Sequence, residues 1–324
     1  MSDFKKMIAD ANKAIALDPK DVKAYVNRGR AYVQLEQYDA AISDLSRAIK
    51  LDPKNADAYA MRGGAYSQLG QYDAAISDYS HAIKLAPKFY GVYFARGLIY
   101  YYQLNQYDAA ISDFSKAIKL NPNDDDYYCL RARVYCDKNQ FDSSLADFNK
   151  AIELNPNGNI SYYEGRGWSH FRLGQYHEAI SDFSRAISSG TENLDAYYFR
   201  GDSYRRTGQL NLAKKDLAYV LDRDKNHKEA KSSLKAVESF SNFLDFNDLI
   251  DQGMAFCKVR DYGPALEKFE TALRLIPPGD KELREDVRKF INDVKLCAQD
   301  KAKSDYFGSQ AQELRRKIRN CQPS

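Results

Sequence analysis

The sequence predicts an all-α fold, a solenoid of stacked antiparallel helix hairpins. The segment Gln106–Pro122, which reads Q-Y-D-A-A-I-S-D-F-S-K-A-I-K-L-N-P, recurs at Gln37–Pro53 and Gln71–Pro87. Altered copies follow at Gln140–Pro156, Gln175–Thr191 and Gln209–Lys225. The aromatic residue after the glutamine advances by 34 or 35 residues, from Tyr38 to Tyr72, Tyr107, Phe141 and Tyr176. A fixed period of this length is the signature of helical hairpins that stack on their neighbours.

Each period holds two helices. In the second copy, the second helix begins at Tyr72 and ends before Pro87, because proline cannot continue a helix. Its apolar residues recur at the three- and four-residue spacing of one buried stripe. They are Ala75, Ile76, Tyr79, Ala82 and Ile83. The first helix of this copy ends near Gly70, since glycine accepts the positive φ of a tight turn.

The same pattern places every element along the chain. Six full repeats are predicted, at 22–55, 56–90, 91–124, 125–159, 160–193 and 194–227. Residues 1–21 hold a lone second helix, which forms an N-terminal half-repeat or cap. The register breaks after the sixth repeat, so 228–245 is interpreted as a capping helix and junction, with the junction at Phe240–Leu244. A further hairpin at 246–279 and C-terminal helices at 280–324 complete the prediction.

Small residues recur where the helices must approach closely. One column lies in the first helices, at Gly29, Gly63, Gly97, Ala132, Gly167 and Gly201. Another lies in the second helices, at Ala41, Ala75, Ala110, Ser144, Ala179 and Ala213. With the aromatic column and the terminal prolines, these columns resemble the tetratricopeptide repeat (TPR) family over most of the chain. The resemblance implies a right-handed superhelix whose first helices line a concave groove.

Two charged residues also keep a fixed register. An arginine recurs in the first helices, at Arg28, Arg62, Arg96, Arg131, Arg166 and Arg200. An aspartate recurs in the second helices, at Asp10, Asp44, Asp78, Asp113, Asp147, Asp182 and Asp216. Gln252 and Lys268 replace both in the last hairpin, which indicates a partnership. We predict an Arg–Asp ladder between packed helices, because a guanidinium can bridge a carboxylate with two hydrogen bonds. The alternative is a row of arginines that binds an acidic ligand.

Composition and motifs argue against several classes of function. The 324 residues carry 48 basic and 45 acidic side chains, a net charge of +3, whereas nucleic-acid-binding proteins usually have a concentrated basic face. Five cysteines without CxxC pairs indicate reduced thiols, and no apolar run is long enough to span a membrane. The four histidines lack metal-ligand spacing, and no nucleotide-binding or nucleophile motif occurs. We expect a cytoplasmic, non-enzymatic protein without metal or cofactor, which neither binds nucleic acid nor inserts into membranes.

Candidate binding residues follow from the groove that the resemblance implies. Inward positions of the first helices are small in the first two repeats and aromatic, with interleaved arginines, in the next four. Tyr, Trp and Arg are enriched among interface hot spots. The predicted partner-binding residues are Phe94, Leu98, Tyr101, Tyr102, Cys129, Arg133, Trp168, Phe171, Arg172, Tyr198, Arg205 and Arg206. We expect the arginines to pair with acidic groups of a ligand; the alternative is that the aromatic side chains pack on one another.

The predicted function is a protein-interaction scaffold that holds a peptide or helix of a partner protein in the groove. Two alternatives remain open. One is a self-assembling adaptor, in which an end of the solenoid packs on a second copy; the other is the targeting module of a longer enzyme or effector. The family's clamp for acidic chaperone tails is incomplete here, since Asp57 and Met61 occupy the positions of its Lys and Arg.

Overall fold

The computed structural model describes residues 2–156, 158–278, 280–299 and 307–319, and all secondary structure in these ranges is helical. Helix α1 is Ser2–Leu17. Six hairpins follow: α2 Val22–Gln34 with α3 Tyr38–Leu51, α4 Ala56–Gln68 with α5 Tyr72–Leu85, α6 Tyr90–Tyr102 with α7 Tyr107–Leu120, α8 Asp125–Asp137 with α9 Phe141–Leu154, α10 Ile160–Arg172 with α11 Tyr176–Ser188, and α12 Leu194–Arg206 with α13 Leu210–Arg223. The remaining helices are α14 Lys228–Lys258, α15 Tyr262–Leu275, α16 Lys281–Gln299 and α17 Phe307–Arg319. The two helices of each hairpin pack on each other, so the predicted all-α fold of hairpins is confirmed.

The hairpins turn in the same way from repeat to repeat, and the first two also begin in the same way. Asp21 and Asn55 cap α2 and α4, because each side-chain oxygen accepts a backbone hydrogen bond from the third residue on, at 3.0 and 2.9 Å. Between the two helices of a hairpin one residue takes a positive φ, as predicted for Gly70, where φ is 72°. Asn139 takes this conformation in the turn from α8 to α9, with φ at 56°, and asparagine adopts it more readily than most residues.

Large side chains pack against small ones along each hairpin. A Cβ atom on Gly97 would stand 2.7 Å from the ring of Phe114, which is fully buried. In the fourth hairpin Ala132 takes the place of the glycine, and the buried ring of Phe148 lies against Gly165 of α10, where a Cβ atom would overlap it. The small residues are therefore sites of close helix approach, at the packing density of a protein interior.

The predicted Arg–Asp ladder is confirmed. In each of the six hairpins the arginine donates through Nε and Nη2 to the two carboxylate oxygens of its aspartate, at 2.6–2.8 Å. The pairs are Arg28–Asp44, Arg62–Asp78, Arg96–Asp113, Arg131–Asp147, Arg166–Asp182 and Arg200–Asp216. Nη1 of Arg62 also donates to Ser46 of the preceding second helix, at 2.9 Å, so this arginine joins three helices. Arg96 and Arg131 make the same third bond, to Ser80 and Ser115.

The chain divides into two compact units, Met1–Thr191 and Glu192–Ser324. The sixth hairpin belongs to the second unit, whereas the sequence grouped it with the first five repeats. The predicted junction at Phe240–Leu244 requires a correction, because α14 continues through it. No glycine or proline lies between Lys228 and Gln252, and Phe243 packs on the core of the second unit, so the helix is not interrupted. The other predicted boundaries stay predictions.

Two further properties concern the described ranges alone. No helix in them combines the length and the apolar character that crossing a membrane requires. No cluster of three or more His, Cys, Asp or Glu side chains in them could hold a metal ion. Of the five cysteines, four are free thiols and Cys321 lies outside the described residues.

Candidate partner-binding site

The first helices of the first unit form one side of the stack. Helix α2 contacts α4, α4 contacts α6, and α8 contacts α10, while each second helix from α3 to α9 packs between two first helices. The side chains that vary between repeats on this side are the candidates for recognition, since the shared columns are occupied by packing. We call the part that contains Tyr102, Arg133, Trp168 and Arg172 the inner face.

Two tyrosines at the end of α6 reach towards α8. The Tyr101 hydroxyl donates to Asp137 Oδ2 at 2.8 Å, and its ring centroid lies 4.4 Å from that of Tyr102. Burial, together with this hydrogen bond, raises the pKa of Tyr101. Arg133 is half-buried and interacts with Tyr102 and Cys129. Tyr101 is therefore held in place, whereas Tyr102, which is 51% exposed, presents an accessible ring.

A second cluster lies at the end of α10. Trp168 meets Phe141 edge to face, with ring centroids 5.3 Å apart. The Arg172 guanidinium carbon lies 4.7 Å from the Phe141 centroid and 4.9 Å from that of Trp168. Nη2 of Arg172 donates to Asn139 Oδ1 at 3.1 Å. The arginine is exposed, yet two aromatic rings and one amide hold its orientation.

Several predicted binding residues pack on neighbouring side chains, the arrangement that the sequence analysis kept as the alternative for the aromatic set. The Phe94 centroid lies 4.6 Å from that of Tyr127 and 5.7 Å from that of Phe114, and Leu98 is partly buried on the same core. Phe171 is half-buried and packs edge to face on Tyr176, at 5.7 Å. These side chains contribute to the packing of the first helices on their neighbours.

Cys129 and Cys136 offer little surface, although both occupy inward positions of α8. Cys129 is 5% exposed, and burial raises the pKa of its thiol to about 11. The Sγ atom of Cys136 lies 2.9 Å from Ser144 Oγ and 3.3 Å from Ser169 Oγ, in a buried polar cluster between α8, α9 and α10. Both thiols belong to the interior of the first unit.

The three predicted residues of α12 lie in the second unit, where the two arginines share one buried aspartate. Arg205 and Arg206 donate through Nε to the two oxygens of Asp202, at 2.7 and 2.8 Å. Asp202 is 2% exposed and also accepts from Ser233. Burial alone would raise the pKa of Asp202, but the two arginines outweigh it and lower the pKa. Tyr198 is half-buried, with its ring centroid 4.9 Å from that of His227.

Sequence reasoning missed three residues of the inner face. The sequence pattern places Phe141 in the aromatic packing column and gives no role to Asn139 or Asp137. Each stands at the boundary between α8 and α9. The sequence offered no signal specific to Asn139, because the corresponding turns also hold Glu36 and Asn105 in place of glycine.

Comparison with known proteins places this architecture in a family. Profiles described as tetratricopeptide repeat or TPR repeat match residues 1–63, 56–89, 101–135, 125–157 and 164–227, which together span well over half of the chain. The chain belongs to the tetratricopeptide repeat family. Proteins of this family bind protein or peptide partners and are typically non-catalytic scaffolds. No curated protein sequence matches this TPR chain.

Solved structures of other TPR proteins resemble the chain. PilF of Pseudomonas aeruginosa is 18% identical, with a TM-score of 0.54 over 66% of this chain and 98% of its own. MamA is 28% identical, with a TM-score of 0.46 over 48% of this chain and 90% of its own. YrrB, described as a TPR protein with an unusual peptide-binding site, is 20% identical, with a TM-score of 0.44 over 69% and 97%. The likeness to PilF supports the helical-repeat fold alone.

Proposed function

We propose that the first unit of this TPR protein is a docking site for a segment of a partner protein, and that the inner face makes the contact. The protein acts as a scaffold, without catalysis of its own. The observation that carries the proposal is a pair of clusters on first helices, Tyr102 beside Arg133 and Trp168 beside Arg172, whose side chains vary between repeats and lie outside the shared packing columns. Tyr102 is 51% exposed and Arg172 is exposed, so both can meet a ligand.

The chemistry of these side chains suits recognition. An aromatic ring buries a large area when a ligand covers it, at a low cost in side-chain entropy. Tyr102 of α6 lies beside Arg133 of α8, and α8 contacts α10, which carries Trp168. A segment that touches both rings therefore passes over α8. An extended or helical peptide can do this, whereas a small molecule would cover only one cluster.

Selection from a displayed library of random peptides on the full chain tests the proposal. We expect the selected peptides to bind Trp168→Ala and Tyr102→Ala roughly 30-fold more weakly than the native chain, because truncation of a hot-spot aromatic costs about 2 kcal/mol. Fluorescence anisotropy measures the affinity, and a circular dichroism melt verifies that each variant is folded.

The control variant is Leu17→Ala. Leu17 is an apolar side chain of α1 that is 88% exposed and lies away from the inner face, so its removal should leave peptide affinity unchanged. Peptides that bind both aromatic variants as tightly as the native chain would contradict docking at the inner face. A library that yields no binder would contradict peptide recognition by this unit.

A further inference from the structure

Two arginines of the inner face differ from those of the ladder. Every ladder arginine has both oxygens of a buried aspartate as partners, and Arg205 and Arg206 share Asp202. Among the described residues, no carboxylate lies within 4.0 Å of the guanidinium nitrogens of Arg133 or Arg172. These two positive charges are therefore unmatched within the part of the chain that the structure describes.

The orientation of Arg172 is fixed before any ligand arrives. The stacking on Phe141 and Trp168, at 4.7 and 4.9 Å, confines the guanidinium plane, and the bond to Asn139 takes one N–H of Nη2. A guanidinium has five N–H donors in a rigid fork, so further donors stay available for a planar acceptor. Because its freedom is already restricted, binding an acceptor costs less entropy than it would for a free arginine.

Arg133 is the more buried of the two. It lies half-buried on α8, beside Cys129 and Tyr102. A partly desolvated cation without a counter-ion is costly, and an arriving carboxylate would remove this cost. The interaction should therefore contribute more than an exposed ion pair does.

The acidic groups nearby have other partners. Asp137 accepts the Tyr101 hydroxyl, and Glu164 of α10 accepts the hydroxyl of Thr191. Asp108 pairs with Lys138. These carboxylates moderate the positive potential of the inner face, so recognition depends on contact with Arg133 and Arg172 rather than on a broad basic field.

We propose that the segment bound by the inner face is acidic, and that Arg133 and Arg172 each bind one carboxylate of it. Asn139 and Phe141 act as specificity residues, because they hold the Arg172 fork in the orientation that accepts both oxygens of a carboxylate. The inference rests on the proposed docking function and adds the chemistry of the ligand. A Lys in place of Arg172 keeps the charge but loses the planar fork and the stacking.

The test is a comparison of peptide pools selected from one displayed library. The native chain should enrich Asp and Glu, and Arg133→Met/Arg172→Met should lose this enrichment. The tightest acidic peptide should bind Arg172→Met about tenfold more weakly, as expected for the loss of a charge-assisted hydrogen bond. Arg172→Lys should weaken it nearly as much, and Asn139→Gly, which accepts the positive φ, should weaken it several-fold.

The control is Arg47→Met, which removes an exposed positive charge from second helix α3 of the same unit. It should leave the acid enrichment intact. Acid enrichment that survives in the double variant, or is absent from peptides whose binding requires Trp168, would overturn the inference while leaving the docking function in place. Peptide binding that is indifferent to Trp168 and Tyr102 would overturn the docking function and the inference together.

Discussion

The hairpins from α2 to α13 and the last hairpin, made by α15 and the end of α14, have the same backbone plan but different bonds between their helices. Both kinds place a buried aromatic or aliphatic side chain against a small residue, which is glycine except at Ala132. A Cβ on Gly97 would stand 2.7 Å from Phe114, and one on Gly253 2.5 Å from Phe269. Only the first kind has the Arg–Asp pair. In the last hairpin Gln252 stands in the arginine register, and it donates to Asp248 of its own helix.

The comparison separates two roles: pairing the two helices of a hairpin, and connecting that hairpin to the one before it. The contact of a large buried side chain with a small residue of the facing helix, which we call the apolar seam, is common to both kinds of hairpin. It is therefore sufficient to pair two helices. Within the first unit the ladder arginines also reach the preceding second helix, as Arg62 does through Ser46, and therefore connect one hairpin to the one before it. The last hairpin needs no such connection, because α14 itself packs on α13 and continues as the first helix of that hairpin. It relies instead on an apolar core with Phe269 and Phe290.

The largest expected effect follows from removal of a ladder aspartate. Asp113→Ala leaves the Arg96 guanidinium, whose side chain is 17% exposed, without its carboxylate. Loss of one member of such a buried pair costs about 3–5 kcal/mol, and we expect a decrease of this order in the free energy of unfolding. Denaturant unfolding measures it, and hydrogen exchange should localise the loss to α6 and α7.

The matched variant is Arg96→Met/Asp113→Leu. Apolar residues of similar volume in place of a buried pair are often neutral or stabilising, so the double variant should recover most of the lost stability. A decrease in unfolding free energy below ~1 kcal/mol for Asp113→Ala would mean that the Arg–Asp ladder contributes little to the stability of the fold.

A smaller effect should be equal in the two kinds of hairpin. Gly97→Ala and Gly253→Ala each place a methyl group against a buried ring, and overpacking of this type costs about 1–3 kcal/mol. Because the seam is common to both regions, the two variants should be destabilised by similar amounts. Gly91→Ala is the control, since nothing lies within 4 Å of its added Cβ and alanine favours the helix. A large loss of unfolding free energy at only one of the two glycines would show that the apolar seams of the two kinds of hairpin are not equivalent.

The repeated part of the fold was predictable because the same physical requirement recurs in each period. The arginine and the aspartate recur together in six hairpins and are both replaced in the last hairpin, so the sequence alone predicts the ladder. The continuity of α14 was not predictable in this way, since Phe240–Leu244 lies outside the period and offers no second copy for comparison. The absence of glycine and proline permits a helix there, but the packing of Phe243 on the apolar core is a tertiary contact that local sequence does not encode.

The inner face was predictable only as a set of positions. Register places Tyr102, Trp168 and Arg172 on first helices, but register does not say which charges already have partners. Arg205 and Arg172 both occupy inward positions near a helix end, yet only Arg205 lies beside a buried aspartate three residues before it. The contacts of Phe141 and Asn139 with Arg172 cross from one repeat to the next, and they depend on side-chain orientation, which the repeat pattern leaves open.

The smallest effect concerns Tyr79, which occupies in α5 the seam position that Phe114 fills in α7. Burial, with the neighbouring charge of Asp78, raises the pKa of Tyr79 to about 12, against about 10 in an unfolded chain. The folded state holds this proton more tightly, so the stabilisation is complete below pH 10 and is lost as the pH rises through 12. Tyr79→Phe keeps the ring and removes the titration. Relative to this variant, the native chain should lose about 1 kcal/mol of unfolding free energy between pH 9 and pH 11. Denaturant unfolding of both proteins at each pH measures this. If the difference in unfolding free energy between them stays constant over this range, the hydroxyl ionises as freely in the folded chain as in the unfolded one.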